Sequence, residues 1–148
     1  ILVQHKVITH TDSASPLRKN AMACVALPTC PLALAEAQRS LPGLLTQIEG
    51  LLTKNKLERE DILIGIPTCT NGCAMSYIAE IGFVGTAAGK YNVHLGGDNQ
   101  GMRLNKIYKE NLQEAEILNE LENMFASFKL ERNGNGSFGD FTRRKQLV

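Results

Sequence analysis

Charge imbalance, long apolar runs, repeats and low-complexity blocks are all missing from this chain of 148 residues. Each absence closes off a class of function. With 16 Lys and Arg against 15 Asp and Glu, the formal net charge is +1, so electrostatics offer no grip on nucleic acid or on a membrane surface. The longest apolar stretches fall far short of the roughly 20 residues that cross a bilayer. No secretory leader is visible, which makes an oxidising compartment, and with it a disulfide framework, the less natural expectation. A cytoplasmic protein is the simplest reading. A chain of this length buries about two-thirds of its unfolded surface, enough for one core without cross-links, and residues 1–148 read as a single domain.

Cysteine is ordinary in number, but its four residues are not scattered. Cys24 and Cys30 stand six apart, and Cys69 and Cys73 stand four apart. Pro28, Thr29 and Pro31 edge the first pair; Pro67, Thr68, Asn71 and Gly72 edge the second. Such residues turn a backbone sharply enough to aim neighbouring side chains at one point. Four soft, anionic thiolates converging from two loops suit an iron–sulfur cluster or zinc. Structural zinc favours about two to four residues between its cysteines, against five and three here, which ranks zinc second. Spacing alone leaves a third reading open, four buried thiols acting as small hydrophobes.

Periodicity gives a mixed α/β pattern. Residues 1–8 are apolar enough for a strand or a piece of helix, and 11–16 read as a loop. Cys30 sits at the N-cap of a helix opened by Pro31, a residue favoured at the first helical position. Leu41-Pro42-Gly43 breaks it from a second helix striped by Leu44, Leu45, Ile48, Leu51 and Leu52. Residues 62–66 read as a buried strand ended by Pro67. It delivers Cys69 at its carboxyl end, where α/β sheets tend to bind ligands. Residues 81–84 and 91–95 read as strands around the turn 85–89, with Tyr91, Val93 and Leu95 on one face and Asn92 and His94 on the other. Asn111 with Glu114 reads as the capped start of a last helix, striped by Ile117, Leu118, Leu121, Met124, Phe125 and Phe128. Residues 133–148 read as a flexible loop and basic tail, Arg143-Arg144-Lys145 being solvated.

Lesser candidates follow. His94 reads as a structural hydrogen-bonding residue, and His5 and His10 carry no role. Gly96, Gly97 and Gly101 read either as ordinary turns or as points where backbone approaches a large planar ligand.

The segments around the cysteines carry a resemblance. They are Asn20-Ala21-Met22-Ala23-Cys24, Cys30-Pro31-Leu32-Ala33-Leu34-Ala35-Glu36-Ala37 and Cys69-Thr70-Asn71-Gly72-Cys73. Ala79-Glu80-Ile81-Gly82-Phe83-Val84-Gly85 and Tyr91-Asn92-Val93-His94-Leu95-Gly96-Gly97 come next in order. Tyr108-Lys109-Glu110-Asn111 and Phe138-Gly139-Asp140-Phe141-Thr142 complete the series. Together, over about residues 16–142, they resemble the sulfite reductase hemoprotein family.

That resemblance implies a fold of the nitrite/sulfite reductase 4Fe-4S type: α/β (α+β), a mixed β-sheet flanked by helices, truncated at its N-terminal side. It implies that Cys24, Cys30, Cys69 and Cys73 hold a 4Fe-4S cluster and that Cys73 also bridges to the iron of a siroheme. Sulfite would be reduced there to sulfide, a six-electron reaction. The implied partners are the N-terminal half of the same enzyme, a small anion substrate (sulfite or nitrite) and an electron donor, flavoprotein or ferredoxin. By resemblance, the absent half supplies the basic residues for siroheme and substrate, so the isolated stretch is expected to be inactive. Asn71 and Gly72 would fold the second loop back so that Cys69 and Cys73 meet the same cluster. The N-terminal end of the Pro31 helix would turn a positive dipole toward it. Two positions depart from the family's usual pattern, Thr70 in place of proline and Gly65 in place of arginine. Siroheme nitrite reductases share the same centre and stand as the first alternative. An electron-transfer or zinc-stabilised module without siroheme is the second.

Overall fold

The computed structural model describes residues 1–7 and 13–148. Its strands are β1 (Ala21–Ala23), β2 (Ile64–Ile66), β3 (Ile81–Ala87), β4 (Lys90–Leu95) and β5 (Lys106–Leu112). They lie side by side in that order; β1, β2 and β3 run parallel, and the β3–β4 and β4–β5 pairs are antiparallel. Among residues 13–148 the helices are α1 (Pro16–Lys19), α2 (Leu41–Lys54), α3 (Glu114–Glu131) and α4 (Phe138–Arg144). A mixed sheet flanked by helices is the architecture the sequence led us to expect.

One face of the sheet is the core. Ile64 and Ile66 of β2, Ile81 and Phe83 of β3, and Val93 and Leu95 of β4 pack into one buried cluster with the stripes of α2 and α3. The period-two alternation of the strands thus meets the period-3.6 stripe of each helix. Phe125 and Phe128 of α3 meet Phe138 and Phe141 of α4 with ring centroids 5.3 to 5.5 Å apart. Four of the chain's five phenylalanines therefore seal a single corner of the core.

Several expectations are corrected. Leu41, Pro42 and Gly43 do not break a helix; they form the first turn of α2, where the missing N–H of Pro42 costs nothing. The last helix starts two residues later than expected. Asn111 and Leu112 end β5, Gln113 is the N-cap, and its amide donates to Glu116 Oε2 at 2.8 Å. Residues 133–148 do not all run as a tail, because α4 buries Phe138 and Phe141 to 1 % exposure. Arg144 and Lys145 are exposed, as expected of a solvated end, yet both bond to Glu131. Residues 2–6 form turns, with His5 N donating to Ile1 O and Val7 N to Leu2 O. Pro16 opens α1, with the Ser15 hydroxyl accepting from the Arg18 amide. Ile8, His10, Thr11 and Asp12 lie outside the described residues.

The second face positions the site. Parallel strands need a crossover, usually a helix. The β1–β2 crossover contains α2, whereas the β2–β3 crossover, 67–80, contains just a 3-10 turn, Cys73–Met75.

Candidate functional site

Both cysteine pairs leave the carboxyl ends of adjacent parallel strands. Cys24 follows β1 directly, and its amide donates to the Ile66 carbonyl at 3.1 Å, extending the β1–β2 ladder by one step. Cys69 follows β2 across Pro67 and Thr68. Thr68 is fully buried and joins the two loops. Its Oγ1 lies 3.3 Å from Cys24 Sγ, and its carbonyl accepts the Leu34 amide at 2.9 Å.

The first loop is irregular throughout, so the helix expected from Pro31 onward does not form. Cys30 is no N-cap; its amide turns back to the Ala26 carbonyl at 2.8 Å. The physical reason is a competing tertiary bond. The Leu34 amide, which a helix would pair within itself, goes to Thr68 in the other cysteine loop. Ala35 and Ala37 are buried while Leu32 and Leu34 are exposed, the reverse of what an amphipathic helix would bury. No helix dipole therefore points at the cysteines from this loop. Further along, the Tyr91 hydroxyl donates to the Glu36 carbonyl at 2.6 Å, tying the loop to β4.

The second loop turns through Gly72, at φ 75°, into the Cys73–Met75 turn. Ala74 and Met75 are also left-handed, at φ 63° and 55°, an arrangement that costs side-chain-bearing residues about 1–3 kcal/mol each. A Cβ on Gly72 would come within 3.0 Å of the Tyr77 ring. Gly72 thus makes the expected tight turn, and Asn71 stands exposed at its tip.

Beneath this turn the sheet has a window without side chains. Gly65 of β2 and Gly82 of β3 are register partners. A Cβ on Gly65 would sit 2.4 Å from Ala74 O, and one on Gly82 would sit 2.4 Å from Ser76 O. The backbone at 74–76 lies directly on these two glycines, the close approach that glycine inside a strand often marks. Gly65 therefore has a local reason: an arginine side chain there would displace the turn that carries Cys73.

All four cysteines are free thiols; Cys24, Cys30 and Cys69 are half-buried and Cys73 is exposed. Val25, Leu27, Leu32, Leu34 and Met75 are exposed apolar residues in or beside the same loops. Among the described residues no three Cys, His, Asp or Glu side chains gather closely enough to hold a single metal ion. A cluster spreads its thiolates around several irons, so the fit to that group rests on the donor set and on the tie between the loops.

The remaining candidates fall into structural roles. His94 is buried, and desolvation lowers its pKa more than the hydrogen-bonding Asn105 side chain beside it raises it. Gly97 lets the Ile78 and Ala79 carbonyls come within 2.2 Å of where a Cβ would be, so this glycine meets the chain's own backbone. Gly101, at φ 73°, closes a turn onto Asp98. The roles of Thr68, Tyr77, Asn105 and the glycine window went unread in the sequence. The repeated Ile-Gly-Ile and Ile-Gly-Phe triplets were the signal available for the window.

No family model matches the chain. Curated relatives do. The chain is 55% identical over 144 residues to the sulfite reductase (NADPH) hemoprotein beta-component of Leptospira biflexa, covering 97% of this chain and 26% of the relative. The proteins of the same description from Aliivibrio fischeri and Actinobacillus pleuropneumoniae are 51% and 47% identical, over 93% and 90% of the chain and 24% and 23% of their own lengths. Over nearly its whole length the chain is thus similar to one stretch of the sulfite reductase hemoproteins. It spans about a quarter of the length of these sulfite reductase hemoproteins. The fold agrees, since a solved structure titled as the Mycobacterium tuberculosis NirA protein superposes with a TM-score of 0.79. It is 22% identical, and the match covers 99% of this chain and 30% of that one. No helix among the described residues is long and apolar enough to cross a membrane.

Proposed function

We propose that this chain is the C-terminal, cluster-binding part of a siroheme-dependent sulfite reductase. Cys24, Cys30, Cys69 and Cys73 are its 4Fe-4S ligands, and Cys73 is shared with the siroheme iron. The observation that carries this is the pair of cysteine loops at the ends of β1 and β2, tied together through Thr68. When bound, such a centre would supply electrons for the reduction of a sulfur oxyanion. This chain's own residues orient the thiols. The Thr68 hydroxyl faces the Cys24 sulfur, and hydrogen bonds to cluster sulfurs are a lever on potential. The Gly72 turn presents Cys73 outward, as a shared ligand requires.

The rest of a longer protein is the proposed cover for the exposed apolar side chains of the loops, which lone soluble surfaces seldom gather. With a net charge of +1, this stretch leaves most of the positive charge for an anionic substrate and for siroheme to that N-terminal half. The relatives, named as sulfite reductases, favour sulfite over nitrite as the substrate. A flavoprotein or ferredoxin is the proposed electron donor, and a reducing compartment such as the cytoplasm would keep the four thiols available.

The test uses the longer protein. Cys73→Ser exchanges a soft bridging ligand for a harder, poorer one. It should abolish magnetic coupling between cluster and siroheme even where cluster survives. Cys24→Ser should lower cluster occupancy and leave the occupied centres coupled. The opposite pattern would place the bridge on the wrong residue.

A further inference from the structure

The turn that carries Cys73 is held from the sheet side by a residue more than thirty positions later. Asn105 precedes β5 and sends three hydrogen bonds into four consecutive residues. Its amide donates to Tyr77 O at 2.9 Å, and its Nδ2 donates to Ser76 O at 2.5 Å and Ala79 O at 2.9 Å. Ser76 and Ala79 are 0 % exposed and Asn105 is 8 % exposed, so water cannot replace these bonds cheaply.

Tyr77 carries the linkage up to the loop. Its hydroxyl donates to the Thr70 carbonyl at 3.0 Å, and its ring packs under Gly72. The edge of the same ring meets the His94 imidazole, with centroids 5.5 Å apart at 72°. His94 in turn stands beside the Asn105 side chain. Gly82 makes room for the whole arrangement, because a Cβ there would meet Ser76, Asn105 and His94 at once. None of these residues is a proposed ligand, yet together they hold the loop at Thr70, at Gly72 and just after Met75.

We propose that Asn105 is a positioning residue for Cys73, acting through the 76–79 turn and Tyr77 to fix where the exposed thiol points. The proposal rests on the reading of Cys73 as a cluster ligand. Its physical basis is that Gly72, Ala74 and Met75 are all left-handed, a backbone that persists only where its surroundings over-determine it. The three bonds from Asn105 and the one from Tyr77 supply that constraint.

Two substitutions in the chain as it stands test this. Asn105→Leu keeps the size and removes the side-chain donors. Tyr77→Phe keeps the ring and removes only the bond to Thr70, so it carries the test if the first variant does not fold. Amide hydrogen exchange at residues 70–79 should accelerate about tenfold in Asn105→Leu, as the loss of one or two buried hydrogen bonds implies. It should accelerate by a smaller factor in Tyr77→Phe, with α3 unchanged. After anaerobic loading with iron and sulfide, the electron paramagnetic resonance spectrum of the reduced cluster should shift or broaden in both variants. Unchanged exchange at 70–79 together with an unchanged spectrum overturns the proposal. An unsubstituted chain that takes up no cluster defeats the ligand reading alone, and the exchange rates then decide whether the brace exists.

Discussion

On one face of the sheet, α2 and α3 lay continuous apolar stripes across β2, β3 and β4, and α4 adds Phe138 and Phe141 at the corner. On the other, the 67–80 crossover runs over the same strands as irregular backbone, resting on two glycines and bonded by Thr68, Tyr77 and Asn105. The helical face is stabilised by area, a term that tolerates small shifts. The cysteine face is stabilised by position, through single hydrogen bonds and close backbone contacts that fail if anything moves by an ångström. The proposed ligand site lies on the second face, and a ligand site needs placement more than it needs bulk. The first face supplies the rigidity against which that placement is set.

Truncating the helical face should have the largest effect. Phe128 is fully buried between Phe138 and Phe141, and Phe128→Ala should cost about 3–5 kcal/mol in urea unfolding. Iron uptake by the fraction that remains folded should be unchanged. Lost uptake in folded protein would show that the two faces are not separable. Gly82→Ala probes the other face with a single methyl group aimed at Ser76 O. It should cost about 1–3 kcal/mol, the usual price of overpacking, but unlike Phe128→Ala it should reduce cluster loading in protein that is still folded.

A pH effect should appear where the faces meet. Glu80 is fully buried and accepts from the amides of Leu63 at 3.1 Å and Gly139 at 2.8 Å, joining the sheet to the start of α4. Desolvation raises its pKa above the ordinary 4.5; these two donors and the Ser137 hydroxyl oppose the shift, and Asp140 adds to it. The unfolded carboxyl loses its proton near 4.5, whereas the folded one keeps it to higher pH. The stability Glu80 contributes is therefore fully present below 4.5 and is lost as pH rises through its raised folded value. Glu80→Gln should flatten that decline, and a variant whose stability falls just as steeply with pH would clear Glu80 of the role. The smallest expected effect is at the join between the loops. Thr68→Val should lose about 0.5–1.5 kcal/mol, one hydrogen bond, and should make Cys24 react faster with a thiol-alkylating reagent relative to Cys30.

The sequence was most legible where structure is local and repetitive. The stripes of α2 and α3 can be read directly, because burial there follows a fixed period, whereas in β4 Val93, His94 and Leu95 are all buried because both faces of the sheet are covered at that end. β1 is not legible, since Ala21–Ala23 is three residues long and its partner, Ile64–Ile66, lies far along the chain. β5 is not legible because an edge strand needs little apolar character: most of Lys106–Leu112 is exposed, and Lys106, Lys109, Glu110 and Asn111 are charged or polar. The Pro31 helix was misread because a tertiary bond from Leu34 to Thr68 outcompetes local preference. The four cysteines stood out by spacing and the Gly72 turn by composition. The supports from Asn105 and Tyr77 did not, because neither residue belongs to any short pattern.

Metal content of the anaerobically reconstituted chain tests the ligand set most directly. With iron and sulfide supplied, the account predicts about four irons and about four sulfides per chain, with loading falling on replacement of any one of Cys24, Cys30, Cys69 or Cys73 by serine. A chain that takes a single zinc and refuses iron, or one that loads fully without one of these cysteines, would contradict it.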